Sequence, residues 1–104
     1  GPPRPMQSYY PETFERDMGC TVQEWLGWLP AAIGDHPWSR TGDGVQVRIG
    51  TGTLVLTWRP LPFRTIALIR LPRLWVGFRF EGLTPDERHR FMRRFDLYLQ
   101  RGGG

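Results

Sequence analysis

Four short apolar runs between Val45 and Phe80 constrain the fold of this 104-residue chain more than any other feature. The runs are rich in Val, Ile, Leu, Trp and Phe, and the breaks between them contain Gly or Pro. Such runs, separated by turn residues, are typical of consecutive antiparallel strands. The sequence therefore predicts strands at about 45–49, 53–59, 64–70 and 74–80.

Two further features place the predicted strands relative to one another. The run at 64–70 is apolar on both sides, so we expect it to be a central strand. An alternating segment at 13–18 predicts one more short strand. The sheet would then have four to five strands.

Helix-start signals lie on either side of the four runs. Thr21 with Glu24, and Thr84 with Glu87, have the spacing of a capping box, in which hydroxyl and carboxylate each accept a backbone N–H. Apolar residues follow both boxes at helical spacing. The sequence predicts helices at about 22–33 and 85–101.

This order of elements predicts a single α+β domain over residues 12–101, with two helices packed on one face of an antiparallel sheet. The order resembles a reduced helix-grip arrangement, in which a curved sheet wraps a C-terminal helix. That resemblance implies a fold and carries no function. We expect residues 1–11, which contain four prolines, to form a flexible segment and 102–104 a flexible glycine tail.

Composition excludes several classes of protein. With 39% hydrophobic and 13% aromatic residues, the chain is too apolar to be disordered. Its apolar runs are much shorter than the ~20 residues needed to span a bilayer, and no signal peptide is visible. The single cysteine, Cys20, rules out an internal disulfide. We expect a cytoplasmic protein with no membrane partner.

Charge is unevenly distributed along the chain. All 14 basic residues are Arg; residues 1–47 hold three Arg and six acids, net −3, and residues 48–104 hold eleven Arg and four acids, net +7. A GC-rich genome would favour Arg, Gly and Pro codons together, and an anion-binding surface would favour Arg for its planar fork. The asymmetry fits an anionic partner for the C-terminal half, or pairing between the halves.

No catalytic or metal-binding motif is visible. The possible soft or nitrogen ligands, Cys20, His36 and His89, lie far apart without paired spacing. Cys20 precedes a helix start, where a thiol pKa can fall, but no nucleophile signature surrounds it. We expect no catalytic residue, no metal and no cofactor, and hence no enzyme.

Strand alternation predicts a surface on the side of the sheet away from the helices. If the large apolar residues point inward, a second set must point outward. Trp and Arg are enriched at protein interfaces, and Arg beside an aromatic ring also binds single-stranded nucleic acid. We expect a protein partner, with a second copy as one form of it, and nucleic acid as the less favoured partner. The candidate residues are Arg48, Val55, Arg59, Trp75 and Arg79.

The alternative is a small-ligand site between the sheet and the C-terminal helix. Four aromatic residues would line it, although the same pattern is typical of an ordinary core. These residues are Trp58, Phe78, Phe91 and Phe95.

Overall fold

A computed structural model describes the backbone of residues 10–102 and the side chains of residues 10–100. Residues 1–9 of the predicted N-terminal segment and 103–104 of the predicted tail lie outside the described residues. Five strands and two helices confirm the predicted α+β class. In chain order they are β1 (Thr13–Met18), α1 (Val22–Ile33), β2 (Trp38–Arg40), β3 (Gly44–Ile49), β4 (Gly52–Ile66), β5 (Ile69–Glu81) and α2 (Pro85–Gly102).

The five strands form one open sheet in the order β1-β5-β4-β3-β2. Every neighbouring pair is antiparallel. The two edge strands are short, and exposed charged residues alternate along β1. Short, charged edges protect a sheet from pairing with other chains.

The core lies between one face of the sheet and both helices. Residues of β3, β4 and β5 alternate between buried and exposed, so one face of each strand meets the helices. The aliphatic part of that face comes from Val45, Val47, Ile49, Leu54, Leu56, Leu74 and Val76, each at most 7% exposed. Aromatic rings of both layers fill the centre of this core.

Both predicted capping boxes form, and they start the helices where expected. Thr21 Oγ1 accepts the Glu24 N–H at 3.1 Å, and the Glu24 carboxylate accepts the Thr21 N–H at 2.9 Å. The Thr84 and Glu87 pair repeats this geometry at 3.2 and 2.9 Å. These four hydrogen bonds satisfy backbone donors that the first helical turns would otherwise leave unpaired.

The prediction of a central strand at 64–70 is wrong. Strands β4 and β5 form one long hairpin whose turn is Ala67-Leu68, and residues 62–71 are all exposed. Neither β1 nor β3 reaches beyond the Pro60–Leu74 pair, so the remainder of the hairpin projects without lateral neighbours. We call residues 61–73 the hairpin arm.

The prolines explain this error. Pro60 and Pro62 suggest a turn in sequence, but β4 continues through both with a bulge between Leu61 and Arg64. Past Thr57, β4 has a strand on one side only, and proline is tolerated at edges and bulges. The predicted hairpin turns at Pro60–Pro62 and at Pro72 are therefore positions within the long hairpin.

Residues 34–44 have the Gly-, Pro- and Asp-rich composition of a loop, but they contain strand β2. Trp38 pairs with Val47, and Arg40 pairs with Val45. Strand β2 has only three residues and is flanked by Gly, Pro and Asp, so it is too short to show an alternating pattern in the sequence. Only the pairing with β3 makes this segment a strand.

Candidate interaction surface

The structure places all five candidate interface residues on the sheet face opposite the helices, which we call the outer face. In the β4–β5 ladder, Val55 pairs with Arg79 and Arg59 pairs with Trp75. Val55 and Trp75 are half-buried, whereas the three arginines are exposed. The strand neighbours of Arg48, Val55, Trp75 and Arg79 are buried against the helices, which is the register that the alternation predicts. Arg59 lies between the half-buried Trp58 and the exposed Pro60.

Trp75 is held flat against the outer face by a glycine. A Cβ atom on Gly77 would lie 2.6 Å from Trp75 Cη2 and 3.0 Å from Thr57 Oγ1, so the indole occupies the space that a side chain would need. The Arg59 guanidinium carbon lies 4.5 Å from the Trp75 ring centroid. This distance is within the range of a cation–π interaction. Trp75 is therefore a fixed, partly exposed aromatic platform.

Two depressions border this platform. The smaller, of about 230 Å³, is formed by residues of β1, β4 and β5, and its apolar floor includes Val55 and Trp75. The larger, of about 590 Å³, lies where the start of α1, the segment between β2 and β3, and residues 57–60 of β4 meet. Two arginine–tryptophan stacks line it, Arg59 on Trp75 and Arg40 on Trp58, the second at 5.8 Å.

Sequence reasoning missed Arg40, which lies at the larger depression but on the helix side of the sheet, because it pairs with the buried Val45 and contacts Trp58. Arg40 lies on β2, and its contact with Trp58 depends on the pairing of β2 with β3. No local signal in the sequence brings residues 40 and 58 together. Arginine stacked on tryptophan suits a carboxylate or an aromatic group of a partner.

The outer face carries charges of both signs. Glu15 and Asp17 of β1 are exposed, and Asp17 accepts a hydrogen bond from Arg73 Nε at 3.1 Å. This hydrogen bond lowers the pKa of Asp17. Arginines lie along β4 and β5, and Glu81 lies at the far end of β5, so most of the acidic groups of the face are at the β1 edge and most of the basic groups lie beyond it.

The hairpin arm continues the outer face with apolar side chains. Because β5 alternates without a bulge, Ile69 and Leu71 share the side of Arg73 and Trp75. The exposed fractions of the large apolar side chains on the arm are 50% for Phe63, 53% for Ile66, 99% for Leu68, 60% for Ile69 and 39% for Leu71. In the sequence, the run at 64–70 differs from a buried strand in having an arginine at each end, Arg64 and Arg70.

The four residues of the alternative ligand site lie mainly in the core. Phe78, Phe91 and Phe95 are at most 6% exposed. The Phe95 ring centroid lies 5.9 Å from that of Phe78 and 5.6 Å from that of Phe91, so the rings fill the space between sheet and α2. Trp58 is half-buried at the rim of the core, and its ring centroid lies 5.7 Å from that of Trp25.

Cys20 is a buried thiol with no feature that activates it. It is 2% exposed, and burial raises its pKa to about 11, with a further contribution from Glu24. The ring of His36 packs on Phe91, and that of His89 on Tyr10. In the described part of the chain, no three His, Cys, Asp or Glu side chains are grouped to hold a metal ion.

Neither helix of residues 10–102 has the length and apolar character to cross a membrane. A comparison with protein-family models, curated proteins and solved structures found no match to this chain. Its function is therefore inferred from the chemistry of the outer face and the hairpin arm.

Proposed function

We propose that this chain is a non-catalytic interaction domain that binds another protein through the outer face of its sheet. The observation that carries the proposal is the Trp75 platform, whose partly exposed ring contacts the Gly77 position and the Arg59 guanidinium. A rigid tryptophan beside arginine is the chemistry of interface hot spots. The lining of the smaller depression comes from strands alone, so neither helix covers it.

The partner that the charge pattern supports is a second copy of this chain. Glu15 lies at one edge of the outer face, next to Asp17, which is paired with Arg73 of the same chain, whereas Arg59 and Arg79 lie on the central strands. A face with separated charges of both signs offers complementary groups to a copy of itself. A cytoplasmic location, expected from the composition, stays a prediction.

Sedimentation equilibrium over a concentration series tests self-association. We expect the wild-type chain to dimerise and Trp75→Ser to raise the dissociation constant of the dimer about 30-fold, because loss of a hot-spot side chain costs ~2 kcal/mol or more. Leu97→Ser is the matched control, since Leu97 is 49% exposed on α2, away from the outer face. We expect this control to dimerise like the wild type.

A second variant protects the test against a folding defect. Trp75→Ser uncovers Gly77, so circular dichroism must first show a wild-type spectrum. Arg79 is exposed, and Arg79→Glu changes the charge of the outer face without removing core contacts. A wild-type chain that stays monomeric, or a dimer that both outer-face variants leave unchanged, would refute the proposal.

A further inference from the structure

The tip of the hairpin arm exposes apolar residues where a hairpin turn normally carries glycine or polar residues. Ile66 pairs with Ile69, so Ala67 and Leu68 form a two-residue turn. Such turns favour Gly, Asn or Asp because at least one central residue has a positive φ. Here that residue is Ala67, with φ 54°, and Leu68 beside it is 99% exposed. Neither the strained alanine nor the exposed leucine contributes to the core.

Arginines lie directly behind this apolar tip. Arg70 pairs with Thr65, one residue behind the Ile66–Ile69 pair, and Arg64 pairs with Leu71 one residue further back. At about 3.3 Å per residue, their Cα atoms lie roughly 3 and 7 Å behind the two isoleucines. Between Asp43 and Glu81 the chain contains no acidic residue. The tip is thus an apolar wedge followed by arginines on both strands. The charge of Arg64 is partly balanced by Asp17 of β1, which pairs with Arg73 at the base of the arm and whose pKa both arginines lower.

We propose that residues 66–69 insert into the interfacial layer of a bilayer that contains anionic lipids. Ile66, Leu68 and Ile69 enter the acyl boundary, while Arg64 and Arg70 contact lipid phosphates. Interfacial elements bury their apolar face about 5–10 Å deep. Because Leu68 lies beyond the two isoleucines and the arginine Cα atoms lie roughly 3 and 7 Å behind them, insertion to this depth brings both arginines to headgroup level. The apolar stems of the arginines lie along the inserted surface while their guanidinium groups stay at headgroup level.

The observations favour a lipid surface over the other anionic or apolar partners. Single-stranded nucleic acid is held by successive aromatic platforms and by cations that follow its backbone. The arm has one aromatic residue, Phe63, and the Arg70 guanidinium carbon already lies 4.8 Å from its ring centroid. A protein groove would match the apolar tip but gives no reason for arginines on both strands directly behind it. An anionic lipid layer fits both features, because its surface potential attracts arginines and its acyl region accepts the tip.

This inference goes beyond the proposed protein interaction, and it departs from the expectation that the chain has no membrane partner. That expectation considered only segments that span a bilayer. A hairpin tip needs no spanning segment to bind a membrane surface. The two proposals use different residues, with Trp75 central to one and Leu68 to the other, so each can fail alone.

Vesicle co-sedimentation tests the binding. We expect the wild-type chain to sediment with vesicles of phosphatidylcholine containing about 30% phosphatidylserine and to stay in solution with phosphatidylcholine alone. Leu68→Asp should lower the partition coefficient at least ~10-fold, because a charge replaces the inserted side chain. Leu97→Asp, at an exposed position of α2, should leave the partition coefficient unchanged. Arg70→Glu should lower it by more than about fivefold, because one cation is lost and one anion added.

A fluorescent label tests insertion directly. Leu68→Cys introduces an accessible thiol, whereas the native Cys20 is buried and does not compete for the label at neutral pH. An environment-sensitive dye at position 68 should become brighter on anionic vesicles. The same dye at Leu97→Cys should not respond.

The proposal is overturned if phosphatidylserine vesicles fail to bind the wild-type chain, or if Leu68→Asp binds them equally well. The proposal is also overturned if the chain binds the vesicles but the dye at position 68 does not become brighter. That result would mean that the arginines adsorb to the surface by charge without insertion of the tip. Tighter binding of the arm to an oligonucleotide than to the vesicles would likewise overturn the proposal. Trp75→Ser should still bind vesicles, and Leu68→Asp should still dimerise, which separates this proposal from the previous one.

Discussion

The capping box at the start of α2 allows a prediction with two linked readouts. In Thr84→Ala, the Glu87 N–H loses its hydroxyl acceptor at 3.2 Å, while the reverse bond from the Thr84 N–H to the carboxylate remains possible. Loss of a Thr cap typically costs ~1 kcal/mol. For a domain of this size, that lowers the melting temperature by about 4–8 °C.

The same substitution should change a titration. The pKa of Glu87 is lowered from its ordinary value of 4.5, first by the backbone N–H of Thr84 and second by the Thr84 side chain. Thr84→Ala removes only the second cause, so the pKa of Glu87 should rise part of the way toward 4.5.

The sign of the pH dependence follows from this shift. A carboxyl group with a lowered pKa in the folded state contributes stability above its unfolded pKa and loses it as the pH falls through the folded value. The difference in stability between wild type and Thr84→Ala should therefore be larger at neutral pH than in acid, where Glu87 is protonated in both proteins.

Urea unfolding at several pH values, with an NMR titration of the Glu87 carboxyl, measures both effects. Thr84→Ser is the control, since it keeps the hydroxyl and should behave like the wild type. If Thr84→Ala shows wild-type stability and an unchanged Glu87 pKa, the capping box does not form as described.

Two further predictions concern a glycine and the cysteine. Gly44→Ala should destabilise the fold by at least ~2 kcal/mol, because the added Cβ would lie 1.8 Å from the Leu56 carbonyl oxygen; Gly42→Ala, with nothing within 4 Å of its Cβ, should be neutral in the same urea titration. Equal losses for both variants would contradict this packing. Cys20 should react slowly with a thiol reagent at neutral pH and rapidly in urea, because burial raises its pKa to about 11, and Cys20→Ala should leave any activity of the chain intact. Rapid labelling of the folded chain would show that Cys20 is accessible.

Elements with a local signal could be predicted from the sequence. Both helices begin at a Thr-x-x-Glu box, whose geometry depends on four consecutive residues. Strand β1 was predicted with its observed bounds because its alternation is complete within 13–18. The outer-face position of Val55 and Trp75 follows from strand alternation once their apolar strand neighbours are assigned to the core.

Features that depend on pairing between distant segments could not be predicted. The run at 64–70 has the composition of a buried strand, but its burial depends on neighbours, and neither β1 nor β3 extends that far. Strand β2 exists only through its ladder with β3, and with it the Arg40–Trp58 contact. The flat orientation of Trp75 likewise requires Gly77 to meet the indole, which no spacing rule shows.

The prolines at the base of the hairpin arm have a consequence for aggregation. A hairpin without neighbouring strands has two edges with unpaired backbone groups. Apolar edges of this kind can pair with other chains and start fibril growth. On β4 only residues 63–66 lie between Pro62 and the turn, and on β5 only residues 69–71 lie between the turn and Pro72. Fibril-forming segments are about six or seven residues long and contain no proline. Each free edge of the arm is therefore too short to seed a fibril, so the chain can expose an apolar tip and still avoid ordered aggregation.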